Sequence, residues 1–156
     1  MATTASGVRA VPQAPDEVWR ALAVLEPYCS VCDVSYVLGE PAGAPGVGTT
    51  FVCAPGRLDG APAAGAPQGE IVEWNAPRVV ATRLRLTPES WTTRIELSPT
   101  EDGGTRVTMT VTHEPTGGSR VVRRLRRGAL RRLVQRTVDA ELAKVPAHVG
   151  RVAGSA

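Results

Sequence analysis

The sequence predicts an α+β fold in which a curved antiparallel sheet of about six to seven strands wraps around a long C-terminal helix. Four strand-length segments between residues 70 and 114 alternate in polarity and are separated by turn signals, which indicates a meander with one buried face. The chain then becomes helical from Ser119 to about Val149, with Ser119 suited to the N-cap. This helix is the only predicted element large enough to cover the buried face.

The N-terminal part predicts a short strand and two short helices. Residues 8–11 are strand-like, and Pro15 suits a first helical turn because its missing N–H has no helical partner there. Apolar residues then recur at helical spacing until Pro27. We expect a brief second helix around Tyr28–Cys32, followed by a strand at Val34–Leu38.

The middle of the chain predicts one strand within a long loop region. Residues 39–69 contain 13 Gly or Pro among 31 positions, and only residues 48–53 have a strand pattern. The strands of the meander are then predicted at residues 70–74, 79–86, 91–97 and 105–114.

Length and composition predict one domain over residues 1–156, with its core at about residues 8–149. The chain has 156 residues, 42% of them hydrophobic and 21% charged, which is a globular balance. No apolar run approaches the roughly 20 residues that span a bilayer. The N-terminus lacks the pattern of a secretory signal, so we expect a cytoplasmic protein.

The net charge of +3 conceals an uneven distribution. Residues 1–119 carry 8 Arg and 13 acidic residues, a net charge of −5. Residues 120–156 carry 10 basic and 2 acidic residues, a net charge of +8. The basic character of the protein therefore lies in the predicted C-terminal helix.

Several patterned segments together resemble the SRPBCC superfamily of START-related, helix-grip proteins, which includes polyketide cyclases/dehydrases and lipid-transport proteins. They are APDEVWRAL, GVGTTF, GEIVEWNAPRVVATRL, WTTRIELSPTEDGGTRVTMTVTHEP and the closing helix. The resemblance implies a curved sheet around one helix, with an internal cavity that binds a hydrophobic ligand. Some members catalyse cyclisation or dehydration in that cavity. A fold shared so widely does not by itself assign a function.

Strand alternation predicts which side chains face this cavity. On the last two strands the inward sets include Trp91, Thr93 and Ile95, and then Met109, Val111 and His113. The same reasoning orients Thr82, Leu84 and Leu86 inward, and Val72 and Trp74 on the preceding strand. The complete predicted lining is Tyr28, Cys32, Phe51, Cys53, Trp74, Thr82, Leu84, Trp91, Thr93, Ile95, Met109, Val111, Val134 and Val138.

Two residues are candidates for acid–base chemistry. His113 continues the apolar side of its strand, and its imidazole titrates in the neutral range, so it could act as a general acid or base toward a carbonyl compound. The hydroxyl of Tyr36 could orient a ligand or protonate an enolate. The alternative for His113 is a hydrogen-bonded residue at the cavity rim, and for Tyr36 it is ordinary packing.

Cys29 and Cys32 form a CxxC pair that could be redox-active or supply half of a metal site. The chain has no second CxxC, only Cys53 and two widely separated histidines, His113 and His148. We therefore expect free thiols, no metal and no cofactor.

The arginines of the C-terminal helix raise a geometric question. Eight Arg and no acidic residue occur between residues 120 and 136. At helical spacing, several of these arginines lie on the same face of the helix as the valines of its second half. The pattern predicts either a break near Gly128, or an Arg127 or Arg131 that reaches the cavity mouth and contacts an acidic group of the ligand.

These observations leave three functions open. In the first, the chain binds a small hydrophobic ligand, which is polyketide-like, aromatic or a lipid, and catalyses its cyclisation or dehydration. In the second, it binds or carries such a ligand without chemistry. In the third, its basic helix contacts RNA or an anionic membrane. We expect no DNA partner, and either a monomer or a homodimer.

Overall fold

The computed structural model describes residues 1–40, 43–115, 117 and 120–154, and in the last range it describes side chains from residue 127 onward. It confirms the predicted fold class. The elements, in chain order, are β1 (Thr3–Val11), α1 (Pro15–Leu22), β2 (Tyr28–Cys29), β3 (Val34–Leu38), β4 (Thr50–Pro55), β5 (Gln68–Asn75), β6 (Val79–Leu86), β7 (Glu89–Pro99), β8 (Thr105–Pro115) and α2 (Arg120–Ala153).

All eight strands belong to one antiparallel sheet, one strand more than the upper predicted number. Their order is β1-β8-β7-β6-β5-β4-β3-β2, so the chain starts beside its last strand and then crosses to the opposite edge. The meander from β2 to β8 places each strand next to its successor. The sheet therefore has one edge at β1 and the other at β2.

The predicted second helix at Tyr28–Cys32 is wrong. Tyr28 and Cys29 pair with Ser35 and Val34, and the intervening residues form the turn of a hairpin. Asp33 closes that turn with a φ of 53°, a left-handed conformation that Asp tolerates better than most residues. Tyr28 and Cys29 thus pair with β3 in extended conformation, which is incompatible with a helix that begins at Tyr28.

The helix α1 begins where the sequence predicts. The N–H of Ala14 donates to Oε2 of Glu17 at 3.2 Å, which closes the first turn. The helix ends at Leu22, earlier than Pro27, and its buried residues Val18 and Ala21 belong to the main core.

The main core lies between α2, α1 and the β1–β8–β7 side of the sheet. One face of α2, here called the apolar seam, is at most 6% exposed and comprises Val134, Val138, Leu142, Val145 and Val149. Its closest approach to the sheet is at Gly7 of β1. A Cβ atom at that position would lie 2.6 Å from Cδ1 of Leu142 and 2.9 Å from Cγ1 of Val138. The absent side chain of Gly7 is what lets α2 pack this closely.

The helix α2 runs through Gly128 without interruption, so the predicted break is wrong. Gly128 and its neighbours Arg127 and Arg131 are exposed. Among the side chains of α2 that the structure describes, from residue 127 onward, burial begins with the half-buried Leu130 and continues along the apolar seam, which packs in the main core. The predicted N-cap, Ser119, lies outside the described residues. Of the helices described, none is both long and apolar enough to cross a bilayer.

Two glycine substitutions should change stability in opposite directions. We expect Gly7→Ala to lower the free energy of unfolding by about 1–3 kcal/mol, since the new methyl group must displace Val138 and Leu142. We expect Gly128→Ala to raise it by about 0.5–1 kcal/mol, because nothing lies within 4 Å of its Cβ position and alanine favours a helix. Urea denaturation of both variants measures these changes. Destabilisation by Gly128→Ala would contradict a continuous α2.

Candidate functional site

A cavity of about 570 Å³ lies between the sheet, the C-terminal half of α2 and residues 21–26, which form the end of α1 and the segment that follows it. It forms because α2 packs on β1 and β8, at one end of the sheet, while the strands from β7 to β3 curve away from the helix.

One wall of the cavity is apolar and is built from alternate residues of three neighbouring strands. The alternation predicted from the sequence places the correct residues here. They are Thr82, Leu84 and Leu86 of β6, Trp91, Thr93 and Ile95 of β7, and Met109 and Val111 of β8.

A bulge in β5 changes the predicted contribution of that strand. The pairing with β6 shifts between Ile71 and Glu73, so Val72 does not take the inward position predicted for it. Ile71 lines the cavity instead and is only 1% exposed. Trp74 has the predicted inward orientation, but its ring packs edge-to-face on Trp19 at 5.0 Å and does not reach the cavity.

Phe51 and Cys53 of β4 line the cavity as predicted. The Phe51 ring lies over Gly69 of the adjacent strand, where a Cβ atom would approach it too closely to fit. Tyr36 of β3 packs edge-to-face on the same ring at 5.9 Å. Its hydroxyl-bearing ring is also part of the lining, which agrees with its selection as a candidate.

Besides Trp74, three predicted lining residues lie outside the cavity. Val134 and Val138 are fully buried in the apolar seam, because they face β1 and β8. Tyr28 lies on the outer strand β2, where its hydroxyl donates to Oδ1 of Asp33 at 2.8 Å and the Arg57 guanidinium covers its ring at 4.3 Å. These contacts direct Tyr28 away from the cavity.

The opposite side of the cavity is polar. The helix α2 contributes a polar stripe beside its apolar seam, at spacings of four, three, four and three residues: Thr137, Glu141, Lys144, His148 and Arg151. Within it, Lys144 donates to Glu141 at 2.7 Å, and Arg151 donates at 2.6 Å to Glu26 of the segment after α1. Each cation thus has a carboxylate partner, and the charges at this end are balanced.

The polar stripe brings His148 to the CxxC pair. The Sγ atom of Cys32 lies 3.4 Å from Nε2 of His148, and that of Cys29 lies 3.7 Å from Nδ1. We call these three residues the thiol–imidazole cluster. The sequence alone does not predict this contact, because 116 residues separate His148 from Cys32. The signal that could have found it is the helical spacing of the polar stripe beside the valines.

Burial favours the neutral forms of the cysteine, tyrosine and histidine side chains at this end of the cavity. It raises the pKa of Cys53 to about 11, and burial together with the neighbouring Cys29 raises that of Cys32 to about 11. Burial likewise raises the pKa of the Tyr36 hydroxyl and lowers that of His148. At neutral pH the phenol can therefore donate a hydrogen bond, and the imidazole is uncharged.

His113 is placed differently from the prediction. It is only 3% exposed, its Nε2 lies 2.5 Å from Oε2 of Glu89, and its ring packs edge-to-face on Trp91 at 4.8 Å. The bond from His113 lowers the pKa of Glu89. Trp91 lines the cavity and His113 does not, so the structure does not bring this imidazole to a bound ligand.

Arg127 and Arg131 are also remote from the cavity. Both are exposed and neither is part of its lining, so the structure does not support their contact with an acidic ligand group. The side chains of the earlier arginines in this stretch, from Arg120 to Arg126, lie outside the described residues.

Searches with the sequence find no matching family model and no significant match among curated proteins. Solved structures do match. Ara h 8.0201 superposes with a TM-score of 0.66 at 17% identity, covering 99% of each chain. The Zhui aromatase/cyclase from Streptomyces sp. R1128 gives a TM-score of 0.71 at 16% identity, over 97% of this chain and 95% of that one. The di-domain ARO/CYC StfQ from the steffimycin biosynthetic pathway gives 0.69 at 14% identity, over 99% of this chain and 51% of that one. The chain therefore has the same fold as these proteins, a curved antiparallel sheet closed by a long C-terminal helix.

The half-buried thiol of Cys53 should react slowly with iodoacetamide. With a pKa of about 11 its thiolate fraction at pH 7.5 is about a hundredfold or more below that of an exposed cysteine. We expect the rate to rise about tenfold per pH unit toward pH 11. Mass spectrometry of the peptide containing Cys53 measures it, with the urea-unfolded chain as control. A midpoint near 8.5 in the folded chain would contradict the burial of this thiol.

Proposed function

We propose that this protein binds, within its cavity, a small molecule with a hydrophobic body and an uncharged oxygen-bearing end. The observation that carries the proposal is the division of one cavity into an apolar wall on β6–β8 and a polar wall on α2 and β3.

The apolar wall favours a flat or extended hydrocarbon skeleton. Trp91, Ile95 and Met109 supply broad apolar contacts, and the burial of such surface drives binding by about 25 cal/mol per Å². The hydroxyl groups of Thr82 and Thr93 lie in the same wall and can hydrogen-bond an oxygen along the skeleton. This composition suits a polyketide-like or aromatic molecule as well as a lipid.

The polar wall favours a carbonyl or hydroxyl group over a carboxylate. The cations Lys144 and Arg151 are paired with Glu141 and Glu26, so an added carboxylate would meet balanced charges. Tyr36, with its raised pKa, presents a neutral O–H donor.

The likeness to aromatase/cyclases supports a catalytic version of this proposal. A poly-carbonyl chain held between the two walls would have its reacting carbons brought together, which is the main contribution that positioning makes to a cyclisation. Tyr36 is the lining residue suited to hydrogen-bond the carbonyl that is attacked and to donate its proton to the alkoxide that forms, while the attacking carbon loses its proton to water. A carrier that uses the same cavity without chemistry is the second candidate. A wild-type protein that binds a poly-carbonyl molecule but does not convert it would favour the carrier.

Two adjacent threonines test the location of binding. Thr93 lines the cavity, whereas Thr92 is on the opposite face of the same strand. We expect Thr93→Trp to raise the dissociation constant for a hydrophobic fluorescent probe or an aromatic polyketide at least about tenfold, because the indole occupies the ligand's space.

The matched variant Thr92→Trp should change this constant less than about twofold, because the added indole is outside the cavity. Titration monitored by probe fluorescence measures both constants, and urea denaturation confirms that both variants fold. Equal effects of the two substitutions would contradict binding in the cavity.

Tyr36 and His113 test the chemistry. We expect Tyr36→Phe to lower turnover of a poly-carbonyl substrate by about 10²–10⁴-fold, the usual contribution of general acid–base catalysis, while His113→Gln leaves turnover within about threefold. Product formation followed by chromatography measures both. A large loss of turnover in His113→Gln, with Tyr36→Phe still active, would assign the acid–base role to His113 instead of Tyr36. If the wild-type chain binds the substrate but does not turn it over, the carrier is favoured.

A further inference from the structure

We propose that Cys29, Cys32 and His148 form a zinc-binding site whose fourth coordination position opens into the cavity. The proposal rests on the spatial arrangement of the thiol–imidazole cluster, and it does not depend on which organic molecule the cavity binds.

The cluster already has the dimensions of a metal site. Its three ligand atoms all lie within 4.8 Å of one another. Zinc bonds of about 2.3 Å to sulfur and about 2.0 Å to nitrogen, in tetrahedral geometry, separate the sulfur and nitrogen atoms by about 3.5 Å. The two Sγ–N distances in the cluster, 3.4 and 3.7 Å, are close to this value, and the two sulfur atoms approach different nitrogens of the ring. Binding of one shared ion therefore requires the His148 ring to reorient so that one nitrogen faces both sulfur atoms.

The fold holds the three ligands in place. Cys29 is buried and pairs with Val34 in the β2–β3 hairpin, and Cys32 lies in the turn of that hairpin. His148 follows Val145 on α2 and precedes Val149, both of which are fully buried in the apolar seam. The hairpin and the helix thus fix the backbone positions of the three ligands, so the metal has to order only their side chains.

The chemistry of the donor set selects zinc. Two thiolates and one imidazole are the soft and borderline ligands that zinc prefers, whereas calcium and magnesium prefer oxygen atoms. Two thiolate charges cancel those of Zn²⁺, so the polar end of the cavity, with its Lys144–Glu141 and Arg151–Glu26 pairs, stays neutral when the ion is bound.

Three protein ligands leave one position of a tetrahedral ion open. All three residues line the cavity, so this position faces its interior and takes a water molecule or an oxygen atom of the bound molecule. Coordination of a ligand oxygen, unlike zinc binding itself, rests on the proposed function.

Metal titration of the chelator-treated, reduced protein, with no organic ligand present, tests the site. We expect one equivalent of Co²⁺ to produce a thiolate-to-cobalt charge-transfer band with the visible spectrum of tetrahedral cobalt, and one equivalent of Zn²⁺ to displace it. Competition with a chromophoric zinc chelator gives the affinity for zinc.

Single substitutions identify the ligands. We expect Cys32→Ser to lose about half of the charge-transfer intensity, and both Cys32→Ser and His148→Gln to weaken zinc binding at least about tenfold, since even the loss of an outer-shell partner has an effect of that size. Cys53→Ser is the matched control, because Cys53 lines the same cavity outside the cluster, and it should bind zinc like the wild-type chain. His113→Gln serves as the histidine control.

Several results would overturn the site. They are the absence of stoichiometric binding, binding without a charge-transfer band, and unchanged zinc affinity in folded Cys32→Ser or His148→Gln. A Cys29–Cys32 disulfide that resists the reductant and prevents metal binding would also contradict the site. Thr93→Trp separates this proposal from the proposed function, because it should lose the hydrophobic ligand and retain zinc.

Discussion

The packing of the α2 apolar seam on β1 and β8 is the constraint on which the rest of the structure depends. Gly7 lets the helix approach one end of the sheet closely, and Val138 and Leu142 occupy the space that a side chain there would need. Apolar burial holds the helix at this end. Because the sheet curves, a helix held against β1 and β8 is distant from the strands β7 to β3. The space between them is the cavity.

This geometry also explains why the cavity has two chemical faces. The apolar seam and the polar stripe are adjacent on α2, so fixing the seam against the sheet turns Glu141, Lys144 and His148 toward the open space. The strands β6–β8 supply the apolar face, since their inward residues continue the core beyond the reach of the helix. Ligand binding and the zinc site thus depend on the same helix placement.

The strand-based part of the site could be predicted from the sequence, and the exceptions have specific causes. Strict alternation located Thr93, Ile95 and Met109 in the wall, because a period of two fixes which face a side chain occupies. It placed Val72 wrongly, since a bulge adds a residue that alternation does not count. It also gave His113 the correct face but not its surroundings, which depend on Trp91 and Glu89 from the neighbouring strand.

By itself, the sequence determined the fold class, the antiparallel meander between residues 70 and 114 and the inward face of most of its strands, because these follow from local periodicity and turn residues. Only the tertiary structure decided how far each inward residue is from α2, and so whether it lies in the core, as Val138 does, or in the cavity, as Thr93 does. It also decided that His148 meets Cys32. That contact joins residues 116 positions apart, and no local pattern encodes the distance between a hairpin and a helix that meet across a sheet.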